Sequence, residues 1–169
     1  MNIITYPLFI VTGISGSGKS ATSLELQKIM VDANVNIFDM DLIVNDENYQ
    51  QACDNWLKVA YYSAYSGRNT VLFGHVPDPY DVEICDHFPF FGPVHYLHLF
   101  CNDKARTERL AARGKWTENS IDYMNDLSEK LVKEAQTSFP PIPTIDTSTM
   151  APSQVAKLIK KWILKNMPD

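Results

Sequence analysis

The chain has 169 residues, about one domain at roughly 150 residues per domain, and enough to enclose a real hydrophobic core. Its 15 Lys+Arg against 20 Asp+Glu leave a net charge of −5. An acidic chain of pI about 5.3 is poorly matched to a nucleic-acid backbone. With 45% hydrophobic and 21% charged residues, intrinsic disorder is excluded as well.

Short apolar runs alternate with amphipathic stretches, the pattern of a parallel sheet covered by helices on both faces. Residues 8–11 form the first expected strand, followed by a glycine-rich turn. Leu26, Ile29, Met30 and Ala33 recur at helical spacing. Residues 35–38 are the second strand. A helix is expected over 47–66, ended by Gly67. The third strand is 70–73, and Pro77 and Pro79 turn the following segment into a loop. Residues 94–100 read as a strand buried on both faces. Asp103 is placed to cap a helix over 103–113, stopped by Gly114. Thr117 is a fair cap for a helix over 118–137. Three prolines, Pro140, Pro141 and Pro143, force an extended connection into a short fifth strand at 142–145. Pro152 suits the first turn of a last helix, which carries Val155, Leu158, Ile159, Trp162 and Ile163 at helical spacing. Five strands with right-handed crossovers give a three-layer α/β domain.

The run before the first turn, 8–11, is too short for a membrane span or a signal-peptide core, and no basic segment precedes it. A cytoplasmic protein is therefore expected. Cys53, Cys85 and Cys101 are widely spaced and read as reduced, buried thiols.

One motif dominates. Gly13-Ile14-Ser15-Gly16-Ser17-Gly18-Lys19-Ser20 is a Walker A sequence, G-x-x-x-x-G-K-[ST], placed between an apolar strand and a helix as its chemistry requires. Glycines let the backbone wrap an anion and turn several N–H groups inward. The helix beginning at Lys19, Ser20 and Ala21 adds its positive end. Lys19 is positioned for the β- and γ-phosphates, and the Ser20 hydroxyl for Mg²⁺. The motif indicates a nucleotide and leaves the reaction open. No D-x-x-G or N-K-x-D string of a G protein occurs, and no transporter-ATPase signature is visible. The chain is too short for the extra domains of a motor or an oligomeric ATPase ring. Small-molecule and nucleotide kinases remain.

The rest of the chain resembles that class, the shikimate-, gluconate- and nucleotide-kinase-like P-loop NTPases. Asp39-Met40-Asp41 resembles the D-x-D that closes their second strand. Two residues apart in an extended segment, the pair would share one face at the carboxyl edge of the sheet. The resemblance implies that Asp39 positions Mg²⁺ and helps accept the proton of an attacking hydroxyl, while Asp41 holds a substrate hydroxyl or amine. A turn-forming Asp pair is the plainer alternative.

Arg106, Arg109 and Arg113 fall on one helical stripe, where anions would relieve their repulsion. The string R-L-x-x-R is similar to the lid entry of small P-loop kinases. This implies that Arg109 packs on adenine, that Arg113 reaches the phosphates, and that 114–118 is a short lid. Only Lys115 adds charge there. Asp146-Thr147-Ser148 resembles the segment beside the base in such kinases, with Thr147, Ser148 and Met150 as edge contacts. A simple Asx turn at Asp146 is equally compatible.

For an acceptor, the resemblance points to Asp41, Arg68, Gly74 and His75. Arg68 also suits simple dipole pairing at a helix end, and His75 suits a structural role. Phe73-Gly74-His75 departs from many P-loop ATPases in lacking an acid after the third strand. The section between the second and fourth strands is rich in aromatics, either core or stacking surface. The loop from Pro77 to Asp86 is acidic, fitting an amine-bearing molecule or a solvated face. Cys85, His87, His95 and His98 lie close in sequence. Three residues apart on a strand, His95 and His98 face opposite sides, so no zinc site is expected.

The sequence therefore predicts one domain over 1–169, monomeric or homodimeric, that uses ATP and Mg²⁺ to phosphorylate a hydroxyl of a small-molecule acceptor. Its alternatives are a nucleoside monophosphate kinase and a regulator or slow ATPase that transfers nothing.

Overall fold

The computed structural model describes residues 4–44 and 47–168; the outermost residues of the 1–169 reading lie outside that range. The strands are β1 (Tyr6–Thr12), β2 (Val35–Asp39), β3 (Asn69–Phe73), β4 (Phe91–Phe100) and β5 (Thr144–Asp146). All pair in parallel, in the order β2-β3-β1-β4-β5. The helices are α1 (Lys19–Ile29), α2 (Tyr49–Tyr65), α3 (Asp103–Ala112), α4 (Glu118–Thr137) and α5 (Pro152–Asn166).

β1 is central, and alternate side chains of it are buried on both faces. Phe9 and Val11 join Leu26 of α1 and Val155, Ile159 and Ile163 of α5 in one core. Leu8 and Ile10 join Cys53, Trp56, Leu57 and Ala60 of α2 in the other. A strand without a solvent face explains the unbroken apolar run Leu8-Phe9-Ile10-Val11. The expected α/β layering, a five-stranded parallel sheet with helices on both faces, is what the structure shows. Among the described residues no helix is long and apolar enough to cross a membrane.

Several boundaries differ from expectation. α1 ends at Ile29, Met30 caps it, and Ala33 lies in the following turn while still packing on the core. The cap of α3 is Asn102 instead of Asp103: its side chain accepts the Ala105 N–H at 2.9 Å. Thr117 does cap α4, in a reciprocal pair with Ser120. β5 begins at Thr144, after Pro143, whose missing N–H cannot serve a ladder. Gly67 and Gly114 close their helices at φ +85° and +69°, conformations that favour glycine.

The arginine stripe of α3 is also corrected. Arg106 is fully buried and faces the interior of the protein. Its Nη1 donates to Asp103 Oδ1 at 2.8 Å and Asn125 Oδ1 at 2.6 Å. Its Nη2 donates to the Cys101 carbonyl and to Ser128 Oγ. The guanidinium thus ties the end of β4 and α3 to α4. Arg106→Ala would leave these acceptors without a donor and open a void, lowering stability by about 3 kcal/mol; urea unfolding measures the loss.

Candidate functional site

The loop between β1 and α1 lies at the carboxyl edge of the sheet. A Cβ on Gly13 would sit 2.6 Å from Ser17 Oγ and 2.8 Å from the Leu99 carbonyl, so only glycine fits. Gly16 and Gly18 hold φ of +84° and +94°, which strains any other residue. The loop is held from outside by three elements. Cys101 Sγ donates to the Gly16 carbonyl at 3.3 Å. Arg109 Nη1 donates to the same carbonyl at 3.1 Å and reaches Thr147 Oγ1 at 3.2 Å, while its Nη2 donates to the Thr147 carbonyl at 2.6 Å. Thr147 Oγ1 in turn lies 2.8 Å from the Ser17 carbonyl.

Lys19 is buried, and its Nζ donates to the Ile14 carbonyl at 3.1 Å. Burial pulls its pKa down, and Arg113 adds to that; Asp41 and then Asp39 oppose it. Ser20 Oγ donates to Asp39 Oδ2 at 2.8 Å. This hydroxyl and carboxylate form an oxygen pair of the kind Mg²⁺ takes.

Asp39 and Asp41 are brought together differently from the expected shared strand face. β2 stops at Asp39, whose Oδ1 accepts the Asp41 N–H at 3.1 Å and caps a short 3₁₀ turn over Met40–Ile43. The turn reading is what the geometry shows, and in it both carboxylates act electrostatically on Lys19. Burial raises the Asp41 carboxyl; Lys19 opposes the rise and Asp39 reinforces it.

Among the other candidates, Ser15 and Ala21 lie in the loop and the first turn of α1. Arg113 is the exposed cap residue of α3. Ser148 is engaged locally: its N–H donates to Asp146 Oδ1 at 2.9 Å in an Asx turn, its hydroxyl donates to the same oxygen, and its Oγ accepts the Asn102 N–H. Met150 packs on the core of α1 and α5.

Arg68 is a correction. It precedes β3, and its Nε and Nη2 donate to Asn36 Oδ1 at 2.9 Å and the Val35 carbonyl at 3.1 Å. That is the amino edge of the sheet, about 15 Å of strand away from the loop. It braces β2 against β3 and takes no part in the site.

Gly74 and His75 border a cavity of about 320 Å³ that begins at Thr12, next to Gly13. A Cβ on Gly74 would meet the Met40 side chain at 2.8 Å, so close packing explains this glycine. Tyr96 and His98 of β4, Tyr80 and Asp81 of the acidic loop, and Leu131 and Glu134 of α4 complete most of the wall. Sequence reasoning missed the β4 and α4 residues. The period-two spacing of Tyr96 and His98, with Ile10 across the ladder, was the available signal. Among the described residues no cluster of His, Cys, Asp or Glu could hold a metal ion by itself. His95 stacks on Phe9 at 5.1 Å on the other face of the sheet from His98.

Burial drives His98 down to about 4. Burial together with Lys19 drives His75 down to about 4 as well, against the pull of Asp78. Both are neutral at pH 7. Because the unfolded imidazoles protonate near 6.5 and the folded ones only near 4, stability falls as pH drops through that interval and is unaffected above it. Imidazole NMR should show two histidines titrating near pH 4, and denaturant midpoints should fall between pH 7 and pH 5.

No curated protein matches the chain. Shikimate kinase from Acinetobacter baumannii, solved in complex with shikimate, superposes with a TM-score of 0.54 at 14% identity, covering 99% of this chain and 98% of that one. The crystal structure of APE1195 superposes with a TM-score of 0.58, also at 14% identity, over 98% and 99%. At such identity these likenesses establish the fold, that of the P-loop kinases. The AAA domain family matches residues 10–131, well over half the chain and all of it from the middle of β1 to α4, so the chain belongs to that family and is a P-loop kinase-like NTPase.

Proposed function

We propose that the protein transfers the terminal phosphoryl group of ATP to a hydroxyl of a small molecule. The observation that carries this reading is the Ser20–Asp39 contact of 2.8 Å beside Lys19, at a glycine loop with a separate, half-open cavity beside it. A nucleotide site alone would need no second compartment, which favours transfer over a regulator or slow ATPase. A nucleoside monophosphate acceptor is disfavoured because, among the described residues, no Lys or Arg lines that cavity to meet its phosphate.

The loop N–H groups and Lys19 would bind the phosphates, with Ser20 and Asp39 holding Mg²⁺. When bound, Mg²⁺ would supply positive charge to offset that of the phosphates. Asp39 would orient the attacking oxygen; Asp41, outside the cavity's lining, would meet the acceptor at its reacting end. Arg113, at the entry of a short lid over 114–118, closes on the transferring group. Arg109, pinned to Gly16 and Thr147, would present its plane to the base. Transfer of this kind rests on alignment and electrostatics. We place this activity in one domain, in the cytoplasm.

Lys19→Ala should lower acceptor-stimulated ADP release by about 10³-fold with an unchanged circular dichroism spectrum; an active variant would overturn the loop's role. Asp39→Asn should lower kcat and raise the Mg²⁺ concentration needed for half-maximal rate, read from a metal titration at fixed ATP.

A further inference from the structure

We propose that the cavity beside the loop takes an amine-bearing alcohol: a small, mostly apolar molecule with one protonated amine held by the cavity's carboxylates. This deepens the phosphotransferase reading above and rests on it for the hydroxyl.

The floor of the cavity is apolar, built by Ile10, Met40 and Leu131. Tyr80 is fixed on its wall by stacking on Tyr49, centroids 5.5 Å apart at 11°. Such a surface accepts the body of a small organic molecule.

The charge of the wall has one sign. Asp81, Glu83 and Glu134 line it, with no Lys or Arg among the lining residues. His75 and His98 are neutral at pH 7. Burial and the nearby Glu83 and Asp81 hold the Tyr96 phenol protonated. Lys130, just outside, bonds Asp78 at 2.7 Å and stands 3.7 Å from Glu134. Asp81 and Glu83 have no cation within ion-pair distance among the described residues. An anion entering here meets repulsion from Asp81 and Glu83, whereas an ammonium group would give these two carboxylates the cation they lack; Glu134 already has Lys130 nearby.

A second observation points to an occupant. His98 lines the cavity, is 2% exposed, and its Nδ1 has no hydrogen-bond partner. A buried polar atom left alone is costly. A hydroxyl or amine on a molecule in the cavity would satisfy it.

Three probes of one skeleton separate charge from shape: phenylalaninol (ammonium), 3-phenylpropan-1-ol (neutral) and 3-phenyllactate (carboxylate). Calorimetric titration of the full chain at pH 7 is expected to show phenylalaninol binding at least ~10-fold more tightly than the neutral alcohol, with 3-phenyllactate weakest. In the Glu83→Gln/Glu134→Gln variant the preference for the ammonium over the neutral alcohol should shrink by about tenfold, the effect of losing a partly desolvated charge contact. Equal or tighter binding of 3-phenyllactate, an unchanged preference in the variant, or no binding of phenylalaninol at millimolar concentration would overturn the proposal. ADP release from Mg·ATP is measured in parallel. Amine-selective binding without any stimulated ADP release would sink the phosphotransferase reading and leave the ligand class standing. Stimulation by 3-phenyllactate alone would do the reverse.

Discussion

A backbone turn that offers N–H groups to an anion can spend few of them on holding itself in shape (here Ser17 N–H to the Ile14 carbonyl), so its other atoms must brace it. The loop after β1 shows how this is met. Its carbonyls take the load: Gly16 accepts from Cys101 and Arg109, Ser17 faces Thr147, and Ile14 accepts from Lys19. Arg106, behind Gly16, would have its Cγ 2.9 Å from any added Cβ there. The end of β4, the first two turns of α3 and the end of β5 are therefore parts of one support.

This support also explains which features were readable in the chain and which were not. The loop is a local code: glycines, a lysine and a serine at fixed spacing, following an apolar strand. Asp39 was readable because it ends a strand next to that code. Arg106, Arg109 and Arg113 are alike in sequence, and helical spacing puts them on one stripe. Only the packing of α4 against α3, and of the loop and Thr147 against its other side, separates a buried tie, a loop brace and an exposed cap residue. Arg68 was misplaced for a simpler reason. In a parallel sheet a residue preceding a strand lies at the amino edge, far from ligands that gather at the carboxyl edge, and its position before β3 already implied this. The cavity was least legible, because its wall combines β1, β4, α4 and the loop after β3, residues far apart in sequence that only the fold assembles.

The two compartments differ in electrostatic character. Around the loop, Lys19, Arg109 and the α1 terminus set a positive field suited to phosphates. Across Gly74 and His75 the field turns negative at Asp81, Glu83 and Glu134. Asp39 and Asp41 stand at the border, each coupled to Lys19. A molecule that bridges the two compartments must therefore be polarised in the same sense. Opposite fields side by side favour one orientation of entry over its reverse.

The contact between Thr147 and Ser17 spans 130 residues of chain. During synthesis the glycine loop leaves the ribosome well before Thr147 and waits for this brace until β5 has followed. The chain can form β1, α1 and the β1–β3 pairing early. The anion site reaches its final shape only when the segment around Thr147 has docked, so the loop is completed by a part of the chain made long after it.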